Sequence, residues 1–167
     1  MKAEVVKGWP RDNAIRILLK DTDSSQVNAI RRALISDVPK LAITRVNITQ
    51  GVVENDGQIM ESVNVLPDEV LAHRLAMIPI PTFTDDNIYF TENCEECMYK
   101  ADTEKGCQQC QIIYSLNVQG PAPDSEQQTV TVYAEDLTTV SDQKYDILEE
   151  HKRIPLTILS KGQYLEL

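Results

Sequence analysis

The sequence lacks the features of a membrane or secreted protein. Its 167 residues contain no run of about eighteen apolar residues, which is the length that a membrane-spanning helix needs. The N-terminus, Met1–Glu4, does not show the charged and then apolar pattern of a signal peptide. We therefore expect an intracellular protein without a membrane span. With 42% hydrophobic residues, the chain can bury one large core or two small ones.

Recognisable catalytic motifs are also missing. The sequence has no HExxH, GxSxG, P-loop or GxGxxG pattern, and its only histidines are His73 and His151. Glu69 precedes His73 by four residues, so a general acid–base pair on one helix face is one interpretation. A surface hydrogen bond between the two side chains explains the same spacing, and we adopt it. The sequence therefore does not indicate an enzyme.

Positive charge is scarce. The chain has 16 basic and 26 acidic residues, a formal net charge of −10, and adjacent basic residues occur only at Arg31-Arg32 and Lys152-Arg153. Such a surface repels a phosphate backbone unless basic side chains are gathered locally. Aromatic residues make up 5%, so stacking platforms for single-stranded bases are scarce as well. We therefore expect no strong direct binding to nucleic acid.

All four cysteines fall in one short segment with a regular spacing. Cys94-Glu-Glu-Cys97 and Cys107-Gln-Gln-Cys110 form a CxxC-x9-CxxC pattern. Two such pairs can supply four thiolates to one tetrahedral ion, and closed four-cysteine sites are usually structural zinc sites. Gly106, just before Cys107, suits a tight turn. We expect zinc at Cys94, Cys97, Cys107 and Cys110.

Other uses of the four thiols stay open on sequence grounds. Four cysteines also ligate iron–sulfur clusters, which we hold as a less favoured alternative. Two disulfides are a further option, although nothing in the sequence indicates secretion. A thioredoxin-like redox pair is less favoured still, because no strand–helix–strand context surrounds either CxxC. A closed metal site would leave no free thiol to act as a nucleophile.

The hydrophobic pattern indicates an α+β fold with mostly antiparallel sheets. One helix is predicted from Val27 towards Pro39, with N-cap candidates at Asp21–Ser24. A second starts at Pro67 and carries an apolar stripe of leucines. A polar loop of about residues 83–110 holds the cysteines. Alternation and β-branched content predict strands at residues 14–20, 42–50, within 51–62 as a hairpin, 111–118, 129–134, 154–159 and 163–167.

Several motifs, in order along nearly the whole chain, resemble one protein family. The first is Leu19-Lys-Asp-Thr-Asp23, then Asn28-x-x-Arg31-Arg32-x-Leu34 and Val38-Pro39-x-Leu41-Ala42-Ile43. The second is Val65-Leu66-x-Asp68-Glu69-Val70-Leu71-Ala72-His73-Arg74-Leu75-x-x-Ile78-Pro79. The others are Tyr133-Ala-Glu-Asp136-Leu137 and Ile154-Pro155-Leu156-x-Ile158-Leu159-x-Lys161-Gly162-Gln163-x-Leu165. Together they resemble the archaeal RNA polymerase D subunit, the third-largest subunit of eukaryotic RNA polymerase II and, more distantly, the bacterial alpha N-terminal domain.

The resemblance implies an alpha-like dimerisation sub-domain, with helices on an antiparallel sheet, interrupted by an inserted, mostly β sub-domain. Residues 1–48 and 154–167 would belong to the first, and residues 49–153, with the four-cysteine loop, to the second. Family members continue well beyond the stretch that matches Lys161–Gln163, and the last predicted strand here runs to Leu167 without a closing turn. We therefore expect that the C-terminal part of the dimerisation sub-domain is missing here: either the chain is truncated, or that part comes from elsewhere.

The resemblance also implies partners. In the family, the helix that matches residues 23–37 pairs with the corresponding helix of a smaller alpha-like subunit, archaeal L or its eukaryotic equivalent. That pair is a platform for the two large catalytic subunits. Position in the motifs assigns partner contacts to Val27, Asn28, Ile30, Arg31, Arg32, Leu34, Asp68, Glu69, His73 and Arg74. The apolar members would face the dimer core, and the last four would fix the sub-domain junction or contact a large subunit.

The function that the resemblance implies is a non-catalytic assembly subunit of a multisubunit DNA-directed RNA polymerase, a nucleotidyltransferase complex, in transcription. The cysteine spacing, and not the resemblance, adds zinc as its structural cofactor, and that spacing differs from the tighter clusters common in relatives from RNA polymerase II. Such a subunit would be cytoplasmic in an archaeon and nuclear in a eukaryote. The alternative hypothesis is a free-standing, zinc-stapled module that binds protein or nucleic acid.

Overall fold

The computed structural model describes residues 1–11, 14–55, 57–62, 65–83, 85–86, 88–101 and 103–167. The chain divides into two compact units, Met1–Lys40 and Leu41–Leu167. Each of the five sheets in the described ranges is a two-stranded antiparallel pair. Together with two α-helices, these sheets confirm the predicted α+β class. Within the same ranges, no helix is long and apolar enough to span a membrane.

The N-terminal unit consists of a β-hairpin and one helix. Strands β1 (Lys2–Val5) and β2 (Ile17–Lys20) pair antiparallel. Helix α1 (Ser24–Ser36) begins where the carboxylate of Asp23 accepts a hydrogen bond of 2.8 Å from the backbone N–H of Gln26. A carboxylate in this position satisfies one of the backbone donors that a helix leaves unpaired at its start. Asp23 is therefore the N-cap among the predicted candidates.

The C-terminal unit contains helix α2 (Asp68–Ala76) and eight short strands in its described part. The strands are β3 (Val52–Asn55), β4 (Gln58–Glu61), β5 (Tyr114–Ser115), β6 (Asn117–Gln119), β7 (Thr129–Tyr133), β8 (Thr138–Thr139), β9 (Pro155–Ser160) and β10 (Tyr164–Glu166). They pair as β3–β4, β5–β8, β6–β10 and β7–β9. Three of these pairs, β5–β8, β6–β10 and β7–β9, join strands that are not consecutive in sequence, so the sheets depend on long-range contacts.

One hydrophobic core holds this unit together. Leu71 and Leu75 of α2 are fully buried. They pack among buried side chains that include Leu116, between β5 and β6, and Leu156 and Leu159 of β9. Burying a leucine contributes about 1.5–3 kcal/mol. The core therefore fixes α2 against the sheets, in contact with β9.

The turn between β9 and β10 joins segments that are far apart in the chain. The backbone N–H of Gly120 donates to the carbonyl of Gln163 at 2.7 Å, and that of Glu61 donates to the carbonyl of Gly162 at 2.8 Å. A Cβ atom at position 120 would lie 2.1 Å from the carbonyl oxygen of Ser160. Only glycine allows so close an approach of two backbones.

Most predicted strands are present with shorter or shifted bounds. The hairpin predicted within 51–62 is β3–β4, residues 129–134 contain β7, and the two C-terminal predictions are β9 and β10. Only the second half of 14–20 is a strand, and 111–118 is divided between β5 and β6. The ends differ because pairing stops where the neighbouring strand stops, which alternation along one segment does not show.

The strand predicted at residues 42–50 is wrong. All of these residues are described, and none belongs to a strand. Ile43 and Val46 still pack, half-buried, against the core, and the backbone N–H of Thr49 donates to the carbonyl of Glu166 at 3.0 Å. The β-branched side chains therefore serve packing, which is much of what β propensity measures. The single backbone hydrogen bond to β10 does not make a ladder.

The two compact units are not divided at the predicted sub-domain boundaries. The units meet between Lys40 and Leu41, and residues 154–167 contribute β9 and β10 to the C-terminal unit. Compactness within one chain does not show which sub-domain a segment joins in an assembled protein. The boundaries at 48/49 and 153/154 stay a prediction.

Candidate metal centre and partner-binding helices

The four cysteines lie in two short turns with the same backbone geometry. In the first turn, the N–H groups of Cys97 and of the residue after it donate to the carbonyl of Cys94, at 3.0 and 2.8 Å. In the second, the N–H groups of Cys110 and of the residue after it donate to the carbonyl of Cys107, both at 3.0 Å. Each CxxC segment therefore closes as one knuckle.

The sulfur atoms of the two knuckles converge. All four Sγ atoms lie within 4.8 Å of one another. The separation is 3.6 Å between Cys94 and Cys107, and 3.7 Å from Cys110 to both Cys107 and Cys97. Around a tetrahedral ion with metal–sulfur bonds of about 2.3 Å, the sulfurs lie about 3.8 Å apart. The donor set therefore fits a single tetrahedral metal ion.

The cluster is largely shielded from solvent. Cys94 and Cys97 are 0% exposed and Cys110 is 9% exposed, while Cys107 is half-buried. These cysteines form a cluster of their own, separate from the main core. Four protein ligands leave no position open for a substrate, which is typical of structural metal sites.

Two backbone N–H groups donate to the sulfur atoms. Gly106 donates to Sγ of Cys97 at 3.4 Å, and Cys107 donates to Sγ of Cys110 at 3.3 Å. Gly106 has a φ of +136°, and a Cβ atom there would lie 1.9 Å from the side-chain oxygen of Gln111. The backbone conformation therefore favours glycine, whereas the flexible side chain of Gln111 could move aside. The spacing argument found the turn at Gly106 but missed its role as a donor to sulfur.

The thiols are not equally acidic. The hydrogen bond from the N–H of Gly106 lowers the pKa of Cys97, whereas burial raises the pKa of Cys110. Metal ions bind the deprotonated thiolate. Loading the site therefore releases protons, and metal affinity falls in acid.

The distances between the sulfur atoms distinguish among a disulfide, an iron–sulfur cluster and a single metal ion, three of the uses of these cysteines that the sequence left open. A disulfide needs a sulfur–sulfur distance of about 2.05 Å, and all four cysteines are free. In an iron–sulfur cluster, different cysteines bind different iron atoms, which spreads the sulfurs further apart than around one ion. Separations of 3.6 and 3.7 Å favour one ion.

Neighbouring segments hold the knuckles in place. The backbone N–H of Tyr89 donates to the carbonyl of Gln109 at 3.0 Å, and the side-chain amide of Gln109 donates to the carboxylate of Glu96 at 3.4 Å. Nη1 of Arg45 donates to the carbonyl of Lys105 at 3.2 Å. The second knuckle and the segment before it are thus tied to other parts of the C-terminal unit, and the bond from Gln109 to Glu96 joins the two knuckles to each other.

A polar contact ties down the segment that precedes the knuckles. The carboxylate of Asp86 accepts hydrogen bonds from Nζ of Lys144 and from the hydroxyl of Tyr145, both at 2.6 Å. These bonds, Lys144 foremost, lower the pKa of Asp86. The contact joins the cysteine-bearing loop to the 3-10 turn Gln143–Tyr145.

Helix α1 exposes the apolar stripe that the sequence predicts. No residue of the helix is buried. Val27 is 39% and Leu34 is 65% exposed, and Ile30 is half-buried. Ile35, at 67%, enlarges this surface and was not among the predicted contact residues, although its place beside Leu34 could have indicated it. Exposed apolar surface of this kind is typical of a site for another protein.

The arginines of α1 differ in their surroundings. Nε and Nη2 of Arg31 both donate to Oδ1 of Asn28, at 3.2 and 3.0 Å. The guanidinium of Arg32 has no hydrogen-bond or ion-pair partner among the residues that the structure describes. Asn28 therefore orients Arg31, while Arg32 is available to a partner.

On α2, two of the predicted contact residues have partners within the C-terminal unit. Oδ2 of Asp68 accepts a hydrogen bond from the side-chain amide of Gln50 at 2.7 Å. Nη1 of Arg74 donates to the carbonyl of Leu156, in β9, at 2.6 Å. These contacts fasten both ends of the helix to neighbouring segments.

Glu69 and His73 are exposed on α2, and the hydrogen bond expected between them is not formed. That expectation is wrong for the described conformation, because water satisfies both side chains at no cost in rotamer freedom. Glu69 lies in the first turn and His73 in the last. Each position suits the sign of the helix dipole there, so no acid–base pair is needed to explain them.

Comparison with known proteins gives the family. Residues 46–167 match the family described as RNA polymerase Rpb3/RpoA insert domain. The chain is 34% identical to DNA-directed RNA polymerase subunit Rpo3 of Picrophilus torridus, over 92% of its own length and 50% of that protein. It is 42% identical to the Rpo3 subunit of Thermoplasma volcanium over 59% of its own length and 34% of that protein. It is 29% identical to subunit 3 of the DNA-directed RNA polymerases II, IV and V of Arabidopsis thaliana, over 94% of its own length and 46% of that protein.

The chain spans about half the length, or less, of these curated relatives. The family match itself includes both knuckles, α2 and the strands of the main core. It agrees with the resemblance carried by the motif around α2, whereas the motif around α1 precedes the matched residues. The chain therefore belongs to the RNA polymerase Rpb3/RpoA insert domain family.

Proposed function

We propose that the protein is a non-catalytic assembly subunit of a multisubunit DNA-directed RNA polymerase. The observation that carries the proposal is the uncovered apolar stripe of α1, a helix of 13 residues with no buried side chain. A helix gains most of its stability from packing an apolar face, so an uncovered face needs a partner. The relatives named above are polymerase subunits, which supports the same role.

In this proposal, α1 pairs with a smaller alpha-like subunit of the archaeal L type. Val27, Ile30 and Leu34 provide its apolar centre. Arg31 and Arg32 lie beside that stripe. There, a planar guanidinium can bind a carboxylate of a partner through two parallel hydrogen bonds. A helix-to-helix contact of this kind is part of the large, apolar interfaces typical of permanent complexes.

The exposed face of α2 is proposed to serve the larger subunits. Glu69 and His73 are exposed and make no contact with each other, so they suit a contact with a large catalytic subunit. Asp68 and Arg74 already bind neighbouring segments, which suits a role at the sub-domain junction.

We also propose the sub-domain division that the resemblance implies. Residues 1–48 and 154–167 belong to the dimerisation sub-domain, and residues 49–153 form the insert. The start of the family match at residue 46 supports the first boundary. The match continues to residue 167 and does not mark the second.

The test of the assembly proposal is co-expression with a smaller alpha-like subunit, followed by size-exclusion chromatography. We expect Leu34→Asp to abolish the complex, because a carboxylate in an apolar interface would be desolvated without a partner. Ile59→Asp is the matched control, since Ile59 is 74% exposed on β4. It should leave the complex intact.

Each variant is first checked for folding by circular dichroism. A stable complex with folded Leu34→Asp would show that α1 is not the contact. If the unaltered chain forms no complex and behaves as a monomer, the free-standing binding module becomes the better description.

We propose zinc as the ion in the four-cysteine site. The closed, buried set of four thiols and its single-ion spacing support this. The test is elemental analysis of protein purified without added metal, together with its visible absorption spectrum. One zinc per chain and no visible absorption are expected, and Cys110→Ser should lower the zinc content. Stoichiometric iron with visible absorption would overturn the assignment.

A further inference from the structure

The two units of the chain carry opposite net charge. Residues 1–40 contain eight basic and five acidic residues, whereas residues 41–167 contain eight basic and twenty-one acidic residues. The overall charge of −10 therefore conceals an N-terminal unit that is net positive. The net charge of the whole chain does not reveal this difference.

Part of the positive charge is concentrated in the connection between β1 and β2. The guanidinium of Arg16 lies 5.0 Å and that of Arg11 lies 5.7 Å from the centre of the Trp9 ring. Lys7 lies in the same connection, and the three basic side chains are exposed. We call Lys7, Trp9, Arg11 and Arg16 the basic tip.

Backbone hydrogen bonds give the basic tip a defined shape. The N–H of Val6 donates to the carbonyl of Arg16 at 2.9 Å, and Arg11 and Ala14 exchange two hydrogen bonds of 3.0 and 2.9 Å. Nε of Arg11 donates to the carbonyl of Gly8 at 2.8 Å. The two guanidiniums are therefore held beside one aromatic ring rather than free to spread apart in solvent.

The tip is unlike the far end of the same hairpin, where lysines have carboxylate partners. Nζ of Lys20 lies 2.6 Å from the carboxylate of Glu4, and Nζ of Lys2 lies 3.6 Å from that of Asp21. No described carboxylate lies within 4.0 Å of the charged groups at the tip. Like charges gathered on one ring repel each other, and an anion placed between them would relieve that repulsion.

We propose that the basic tip is a docking site for an acidic segment of another protein, rich in aspartate and glutamate. Arginine presents a planar fork that matches a carboxylate, so two arginines held side by side can bind two carboxylates of one segment. The site lies on the hairpin and not on α1, and it does not depend on the proposed assembly function.

A protein segment fits the tip better than nucleic acid does. Base stacking needs an open aromatic face, whereas the ring of Trp9 is already engaged by two guanidiniums. Tight binding to a phosphate backbone uses many cations, and this connection contains only three.

The test uses the full chain and a fluorescein-labelled synthetic peptide of alternating glutamate and alanine, titrated at low ionic strength. Trp9 is the only tryptophan, so its emission reports on the tip directly. We expect saturable binding with a change in Trp9 emission. Arg11→Gln and Arg16→Gln should each weaken binding about fivefold, the upper range for an exposed ion pair.

Three controls make the result specific. Lys20→Gln removes one positive charge from the paired end of the hairpin and should leave the affinity unchanged. Arg16→Lys keeps the charge but loses the planar fork, so it should fall between the native chain and Arg16→Gln. Asp12→Asn removes the acidic residue of this connection and should tighten binding.

Three outcomes would overturn the proposal. One is no binding of the peptide by the folded chain. Another is an equal loss in Lys20→Gln and Arg16→Gln, which would indicate attraction by net charge alone. The third is tighter binding of an oligothymidylate with the same number of charges, which would make the tip a nucleic-acid site. Leu34→Asp should not affect the titration, so failure here is distinguishable from failure of the α1 contact.

Discussion

Helices α1 and α2 use similar amphipathic sequences in opposite ways. Helix α2 buries Leu71 and Leu75 completely, whereas α1 buries none of its residues. The start of each helix reflects this difference. Asp23 caps α1 with a side-chain hydrogen bond, while α2 begins after Pro67 without one. A helix that packs against the core of its own unit can form without a capping side chain. A helix with no buried residue depends on local interactions such as the cap.

The largest effect is expected from truncating the buried stripe. Leu75→Ala should lower the free energy of unfolding of the C-terminal unit by about 3 kcal/mol, because it leaves a cavity in the core. Leu34→Ala on α1 removes the same atoms from an exposed site and should change the stability of the isolated chain by less than about 0.5 kcal/mol. Urea denaturation followed by circular dichroism measures both. Equal losses would show that α1 is packed within the chain.

A smaller effect is expected from the arginines of the two helices. Arg74→Met should destabilise the C-terminal unit by about 1–2 kcal/mol, because the carbonyl of Leu156 loses the 2.6 Å hydrogen bond that it accepts. Arg32→Met on α1 should have no measurable effect on the chain alone. Thermal unfolding of both variants is the measurement. Similar midpoints for the two would mean that the contact of Arg74 contributes nothing.

The caps offer a third way to test the comparison. Asp23→Ala should cost α1 about 1 kcal/mol, because the N–H of Gln26 loses its acceptor. The loss should appear as reduced helical ellipticity at moderate temperature. Replacing Pro67 by Ala should have a much smaller effect on α2, whose packing holds it. If Asp23→Ala leaves the helix content unchanged, α1 is stabilised by something other than its cap.

The smallest effect is expected from the acidic contact that supports the cysteine loop. Because the pKa of Asp86 is lowered in the folded protein, its contribution is present above the ordinary carboxyl pKa and is lost as pH falls through the folded value. Lys144 is 43% exposed, so solvent screening keeps the effect small. Asp86→Asn should reduce the loss of unfolding free energy as the pH falls, measured by urea denaturation at a series of acidic pH values. An unchanged loss would assign the acid sensitivity to other groups.

Local patterns explain why much of the fold and the convergence of the four cysteines could be predicted. The spacing of Leu71 and Leu75 predicts a helix whose one face is buried, and two CxxC pairs predict converging thiols. Each of these two signals is contained in one short segment of the chain. They need no knowledge of distant segments.

Long-range partners explain what could not be predicted. Residues 42–50 have the composition of a strand, but a strand exists only where a neighbour pairs with it, and no local pattern shows that neighbour. The N–H of Gly106 directed at a sulfur atom depends on backbone geometry that its sequence position alone does not reveal. The basic tip was hidden because charge was counted over the whole chain and not over each unit.

The turn between β9 and β10 sets an order of events during folding. The β3–β4 hairpin can form as soon as its own residues exist, because its pairs are local. The hydrogen bond from Glu61 of this hairpin to Gly162 can form only after Gly162, about a hundred residues later, has been added to the chain. The hydrogen bond from Gly120 to Gln163 likewise needs this turn. Contacts between such distant segments form slowly, since a long loop must close first. On a ribosome, the hairpin and β6 would therefore emerge well before the turn that joins them, and that interval is when the unit is most exposed to misassembly.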